Sequence, residues 1–154
     1  MKKTHIFSFL IAVAFITFLG SSLVAVAGDD EVKQEVDLSP VAGSGLIDAS
    51  GDAKFRQKGD RKKFDVSVEA RAGLTIGEKL TVKVDGTEVG KFKVVALLDP
   101  DEGGDLDADS NPAEGDAPLD LATFPDPCCD GNNVEVGRDN GTTFTLLFEG
   151  TFPE

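Results

Sequence analysis

The residues with the clearest chemical pattern lie in an acidic stretch, DLDADSNPAEGD, at positions 105–116. Calcium prefers oxygen ligands, about six to eight of them, from carboxylates, carbonyls and water. Alternating Asp residues provide such oxygens on short, stiff side chains. When the stretch is compared with the calcium loop of an EF-hand, five residues fall at ligand positions. These candidate calcium ligands are Asp105, Asp107, Asp109, Asn111 and Asp116.

The same stretch departs from the EF-hand pattern in three places. Ser110 stands where the loop needs glycine, Pro112 follows, and Asp116 is shorter than the usual bidentate glutamate. A looser Asp-rich calcium loop is therefore the form that a specific site would take. The alternative is an unstructured acidic loop that only attracts counter-ions. Residues 99–130 carry 11 acids and no base, and a divalent ion would relieve the repulsion among these carboxylates.

The adjacent residues Cys128 and Cys129 form the second chemical group. Three states are open for them: a disulfide between the two, a disulfide-linked dimer, and free thiols. A bond between neighbours is strained, because their Cα atoms lie about 3.8 Å apart across a trans peptide bond. The flanking residues Asp126 and Asp130 disfavour the thiolate that a redox enzyme needs.

The composition excludes several kinds of active site. The only histidine is His5, and the chain contains no Trp and no Tyr. His5 lies in the first 27 residues, which are predicted below to be cleaved off as a signal peptide. The remaining chain then has no histidine, which excludes a Ser-His-Asp triad, a Cys-His pair and histidine-based metal sites. Catalysis by paired carboxylates stays open, but an enzyme is not expected. A formal net charge of −13 disfavours binding to nucleic acids or to anionic lipid surfaces.

The first 27 residues have the three parts of a secretory signal peptide. Lys2 and Lys3 precede an apolar run at 6–19, and Ala25-Val26-Ala27 gives a small-x-small cleavage site. The alternative, a retained membrane anchor, is disfavoured because the run is short for a span of about 20 residues. We therefore expect residues 1–27 to be removed and the protein to be secreted or periplasmic, with no membrane association after cleavage.

Residues 28–40 are polar and acidic, and they predict a flexible lead-in to a single β-domain at 41–154. Within that domain RKKFDVSVEAR alternates apolar and polar residues, which is typical of a half-buried strand. Asp85-Gly86 predicts a tight hairpin, and a change of parity predicts a bulge at Gly90. The fold class is all-β, an antiparallel β-sandwich or small barrel of about seven strands. Residues 99–130 are predicted as one long acidic insertion loop.

Two segments carry a resemblance to known proteins. GDAKFRQKGDRKKFDVSVEA and LTIGEKLTVKVDGTEVGKFKV, within residues 43–98, resemble uncharacterised secreted bacterial β-rich proteins. The shared pattern is a small-residue strand, a charged G-x-R turn, an F-x-V-x-V strand and a V-D-G-x-x-V-G hairpin. The resemblance implies an exported β-domain and identifies no catalytic residue.

Together these features predict a non-catalytic exported β-domain for binding, adhesion or envelope structure, ordered by calcium at the acidic loop. One alternative is a secreted inhibitor or interaction protein that presents the acidic loop to a basic partner. Another is an enzyme that uses the cysteine pair or the Asp cluster. The expected partner is a protein or a surface, and the expected oligomeric state is a monomer or a disulfide-linked dimer.

Overall fold

The protein forms strands and turns over residues 31–98, 101–113, 115–125 and 128–154, which are the residues described by a computed structural model. Ten strands follow one another within these residues. They are β1 (Val32–Pro40), β2 (Ile47–Lys58), β3 (Arg61–Ala72), β4 (Lys79–Val84), β5 (Thr87–Lys93), β6 (Val95–Ala96), β7 (Glu102–Asp109), β8 (Ala117–Pro118), β9 (Asn133–Asp139) and β10 (Phe144–Thr151).

Alternation of apolar and polar residues accounts for the central strands. On β3 the side chains of Phe64, Val66, Val68 and Ala70 are buried, and the residues between them are polar and face outward. Successive side chains of a strand point to opposite faces, so this sequence buries one face of the strand and exposes the other. The strand predicted from RKKFDVSVEAR is confirmed.

The hairpin between β4 and β5 forms where it was predicted. Asp85 and Gly86 have φ values of 49° and 77°, the left-handed conformation that a two-residue hairpin turn requires. Val82 pairs with Gly90, but the next residue of β4 pairs with Glu88. Val89 is therefore an extra residue, and the bulge predicted at Gly90 is confirmed.

The strands form two halves of an antiparallel sheet. The first half has the order β1-β2-β3-β7, and the second has the order β10-β9-β4-β5. The short strands β6 and β8 both pair with β7, and β8 is the one that runs parallel to its neighbour. The apolar side chains of the two halves meet in one core.

Two junctions join the halves. At the first, only Val94 separates β5, which pairs with β4, from β6, which pairs with β7. The chain therefore crosses from one half to the other at this residue, and the Val94 amide donates to the carbonyl of Glu78 at 2.9 Å. At the second junction β1 pairs with β10 through Ser39 and Pro40 alone. The sheet is thus nearly closed into a barrel, which confirms the predicted fold class with ten strands instead of about seven.

The flexible lead-in predicted for residues 28–40 is wrong for the part that forms β1. Gln34 occupies an inward position between Val32 and Val36 and so interrupts the apolar alternation. Its side-chain Oε1 accepts a hydrogen bond from the amide of Cys129 at 3.1 Å. Because the polar residue Gln34 stands at an inward position, where its partner is the Cys129 amide, the sequence of β1 does not show the alternation of a strand.

The insertion loop predicted for residues 99–130 is wrong for residues 102–109, which form β7 and pair with β3 along their whole length. The inward positions are Gly104, Leu106 and Ala108, all buried. Glycine and alanine give a weak apolar signal, and the outward Asp residues resemble loop composition. Small residues suffice here because the neighbouring chain lies close: a side chain at Gly104 would meet the carbonyl of Lys93 and the ring of Phe92.

The segment that follows β8 also contributes to the core. Leu119 and Phe124 are buried, and the ring of Phe124 stacks on Phe55 with centroids 5.7 Å apart. It also meets Phe64 at 5.3 Å. The acidic segment is therefore anchored to the domain by apolar side chains.

The predicted signal peptide, residues 1–27, lies outside the described residues. Within the part of the chain that the structure describes, there is no helix long and apolar enough to cross a membrane.

Candidate functional site

Acidic side chains form a band across the outer face of the first half of the sheet. Asp37 on β1 lies opposite Asp52 on β2, and Asp52 lies opposite Ser67 on β3. Ser67 in turn lies opposite Asp105 on β7. Opposed residues of neighbouring strands stand about 4.5–5.5 Å apart at Cβ. The register therefore gathers on one face residues that are far apart in the sequence.

A shallow cavity of about 350 Å³ lies along this band. We call it the acidic groove and define it by four carboxylates and two hydroxyls: Glu35, Asp37, Asp52, Glu69, Ser50 and Ser67. Its floor is formed by Gly51 and Val68. No basic side chain lines it among the described residues, so the groove concentrates negative charge and hydrogen-bond acceptors.

The groove has one basic residue at its border. Lys54 Nζ lies 3.2 Å from Glu35 and 3.1 Å from Asp52, and both carboxylates raise the pKa of this amine. Inside the groove, the Ser50 hydroxyl donates to Glu69 at 3.0 Å. Asp37 makes no ion pair within the described residues. Glu35 and Asp52 therefore share the positive charge of Lys54, whereas the carboxylates of Asp37 and Glu69 face solvent.

A second shallow cavity of about 390 Å³ adjoins the first and extends over β7. It contains Asp65 and Asp107, which lie directly opposite each other on β3 and β7. Burial, together with the neighbouring Asp107, raises the pKa of Asp65 to about 6. The Oδ1 atom of Asp65 is buried without a hydrogen-bond partner. Arg56, 3.8 Å from Asp65, and Lys63, 3.6 Å from Asp107, offset this rise only in part. The negative charge of Asp65 and Asp107 is therefore only partly balanced by neighbouring cations.

The candidate calcium ligands occupy different surroundings. Asp105 and Asp107 are exposed on the outer face of β7, whereas the side chain of Asp109 is fully buried. The guanidinium of Arg61 donates to both oxygens of Asp109, at 2.5–3.1 Å. The amide of Asn111 donates to the same carboxylate at 2.8 Å. The hydrogen bonds from Arg61 are the main reason that the pKa of Asp109 falls to about 2.

Lys63 occupies the space between three of the five candidates. Its Nζ lies 3.6 Å from Asp107, 3.4 Å from Asp109 and 3.9 Å from Asp116. Three carboxylates are thus brought together, but around an ammonium group. In the described ranges, no group of three or more His, Cys, Asp or Glu side chains has an arrangement that could hold a metal ion. The calcium site stays a prediction.

The Sγ atoms of Cys128 and Cys129 are bonded to each other, across a cis peptide bond. Cys129 is completely buried and belongs to the core. The turn is held by Gln34, which accepts from the Cys129 amide and donates to Asp130 through its side-chain nitrogen. These contacts give the cysteine pair a structural setting beside β1.

Sequence reasoning identified Asp105 and Asp107 but missed most of this face. Asp37, Asp52 and Glu69 occupy outward positions on their strands. The alternation on β2 and β3 marks outward positions from sequence alone. The cross-strand register that brings these residues together has no such local signal.

In comparisons with models of protein families, no family matches the chain. No curated protein matches it either.

Proposed function

We propose that this chain is a non-catalytic exported β-domain that binds a positively charged partner through the acidic groove. The observation that carries this proposal is the composition of the groove. Four carboxylates and two hydroxyls line a cavity of about 350 Å³, and the cation beside it among the described residues is Lys54, which contacts Glu35 and Asp52 at the border. Lysine and arginine side chains of a protein partner supply the donors and the charge that this surface lacks.

The shape of the groove favours side-chain cations over a single metal ion. Its acids lie on three neighbouring strands, in register rather than converging on one point. Calcium needs about six to eight oxygens at about 2.3–2.6 Å from one centre. A basic segment of another protein, in contrast, is able to place successive ammonium or guanidinium groups along the band. Exposed ion pairs contribute only about 0.2–1 kcal/mol each, so several are needed, and the binding will weaken as salt increases.

A lysine-rich peptide is the first probe of this proposal. Isothermal titration calorimetry against the purified protein is expected to show binding that falls steeply between low and physiological salt. The variant Asp52→Asn/Glu69→Gln removes two groove carboxylates. We expect it to weaken binding by roughly tenfold, which corresponds to about 1.4 kcal/mol.

A matched control removes the same charge elsewhere. Glu88 and Glu135 lie on β5 and β9, each opposite Lys83 of β4, in the other half of the sheet. The variant Glu88→Gln/Glu135→Gln should therefore bind the peptide nearly as well as the wild type. Equal losses in the two double variants would mean that only the net charge matters, and the groove would lose its assignment.

The predicted calcium site can be tested separately from binding at the acidic groove. Asp107→Asn/Asp109→Asn removes two of its candidate ligands and leaves the acidic groove intact. A calcium-specific rise in the melting temperature that disappears in this variant would support calcium as an accessory. An equal rise with magnesium, or a rise that survives the variant, would count against the predicted ligands.

A further inference from the structure

One edge of the sheet has no partner strand over part of β1. Residues 32–38 pair with β2 on one side, in a one-to-one register without a bulge. On the other side β1 pairs with β10 only at Ser39 and Pro40. Gly150 of β10 still lies against residues 36–38. We call the backbone of residues 32–36, on the side away from β2, the β1 edge. Among the described residues, no strand pairs with it.

The β1 edge lacks most of the features that block pairing with another strand. Natural sheets protect their edges with proline, bulges, very short strands or charged side chains, lysine above all, and of these the β1 edge has the charged residues Lys33 and Glu35. Here the first proline of β1 is Pro40, and the pairing with β2 is regular. The side chains of Lys33 and Glu35 are about 60 % exposed, and Val32 is 46 % exposed. The side chains that flank the edge are thus accessible, and its five residues are enough for a short ladder.

The sequence of this edge is complementary to itself. When two copies run antiparallel with Gln34 opposite Gln34, Lys33 of each copy lies opposite Glu35 of the other. Val32 then lies opposite Val36. Opposite charges and apolar residues in facing positions both stabilise a strand pair. Such a pairing is isologous, because each contact occurs twice about a two-fold axis.

The charges on the outer face favour the same arrangement. Lys33, Arg56 and Lys63 lie opposite one another on β1, β2 and β3 and form a row of three cations. Like charges in facing positions are unfavourable. Glu35 of a second copy would extend this row with an anion. Glu31 would face Asp37 at the end of the ladder, which opposes the pairing there. Within each copy Lys33 contacts Glu31 at 2.8 Å and Glu35 contacts Lys54 at 3.2 Å, so these two ion pairs rearrange or are shared in the dimer.

We infer that two copies of this chain associate by antiparallel pairing of their β1 edges, with Lys33 and Glu35 as reciprocal partners. The ladder is short, so the dimer is weak and forms at high protein concentration. The negative charge of each chain opposes association over long distances. At about 0.15 M salt this repulsion is screened beyond about 8 Å, while the close ion pairs persist.

Charge reversal with rescue tests the inference. Sedimentation equilibrium at up to about 1 mM protein, the range for weak complexes, is expected to show a monomer–dimer equilibrium for the wild type. Lys33→Glu and Glu35→Lys should each shift it to monomer, because each creates two like-charge pairs. The double variant Lys33→Glu/Glu35→Lys restores opposite charges and should restore the dimer.

The outcomes are decisive in each direction. A wild type that stays monomeric throughout the concentration range overturns the inference. A dimer that persists in both single variants places the contact elsewhere, and a double variant that stays monomeric refutes the register. Hydrogen exchange gives an independent check. In the wild type, the amides of residues 32–36 should gain protection as concentration rises, and in the Lys33→Glu variant they should not.

Discussion

Replacing Asp65 with asparagine should stabilise the protein near neutral pH and leave its stability unchanged in acid. Asp65 is held beside Asp107, and its pKa rises from 3.8 to about 6 because of burial and of that neighbour. Above about pH 6 Asp65 is ionised in the folded protein, beside the carboxyl group of Asp107. Asparagine removes the charge of Asp65 and keeps a similar shape.

The magnitude follows from the difference in pKa between the folded and unfolded states. At about 1.4 kcal/mol per pH unit, a rise from 3.8 to about 6 corresponds to about 3 kcal/mol. The side chain of Asp65 is 29 % exposed, so solvent screening reduces the expected gain to about 1–2 kcal/mol. Below about pH 3 the group is mostly protonated in both states, and the penalty disappears there. As pH rises to about 6 the folded state loses a proton that it bound more tightly than the unfolded state did, so its stability falls.

Urea denaturation at several pH values between about 3 and 7.5 measures this difference directly. Asp105→Asn is the matched control, since it removes an exposed carboxylate from the same face of β7. We expect the control to change the free energy of unfolding by less than about 0.5 kcal/mol. The reasoning is refuted if Asp65→Asn gives no gain at about pH 7.5, or the same gain at about pH 3.

Three further substitutions test other parts of the structure. Arg61→Gln leaves the buried carboxylate of Asp109 without its main partner, and urea denaturation at neutral pH should show a loss of about 1–3 kcal/mol; a change below about 0.5 kcal/mol would contradict this. Phe124→Ala should lower the free energy of unfolding by about 3–5 kcal/mol because the ring is buried against the core. The control Leu121→Ala changes a residue that is 46 % exposed and should cost far less. Similar losses in the two variants would show that Phe124 does not anchor the segment after β8. Gly104→Ala brings a Cβ within 2.8 Å of a backbone carbonyl, so its melting temperature should fall by several degrees, for a loss of about 1–3 kcal/mol, and an unchanged melting temperature would argue against the close approach.

The strands with strong alternation were predictable because their apolar residues are large. Phe64, Val66 and Val68 give β3 a clear pattern, and Asp85-Gly86 identifies the hairpin that follows β4. The sequence also contains the pattern of β7, as Asp105, Asp107 and Asp109 alternate with Leu106 and Ala108. The same alternation fits calcium-loop spacing, and with glycine and alanine at the other inward positions Leu106 alone does not indicate a buried face.

The acidic site was predictable only where its residues lie close together in the sequence. The acidic character of residues 105–107 is visible in one stretch of sequence. In contrast, Asp37, Asp52 and Glu69 belong to three strands and become neighbours through hydrogen-bond register. The position of Lys63 among the candidate calcium ligands has the same origin. Local spacing describes which face a residue occupies, but the pairing of distant strands decides what it contacts.

The two junctions that close the sheet differ in kind, and this difference bears on the motions of the protein. At Val94 the halves are linked by the covalent chain itself. At the other side they are held by the pairs at Ser39 and Pro40 and by the Val41 amide, which donates to the carbonyl of Leu147 at 2.9 Å. Breaking these few hydrogen bonds parts β1 from β10 while each half keeps its own pairing. We therefore expect local opening to begin at this seam, at a free energy below that of global unfolding, and to give water its first access to the core.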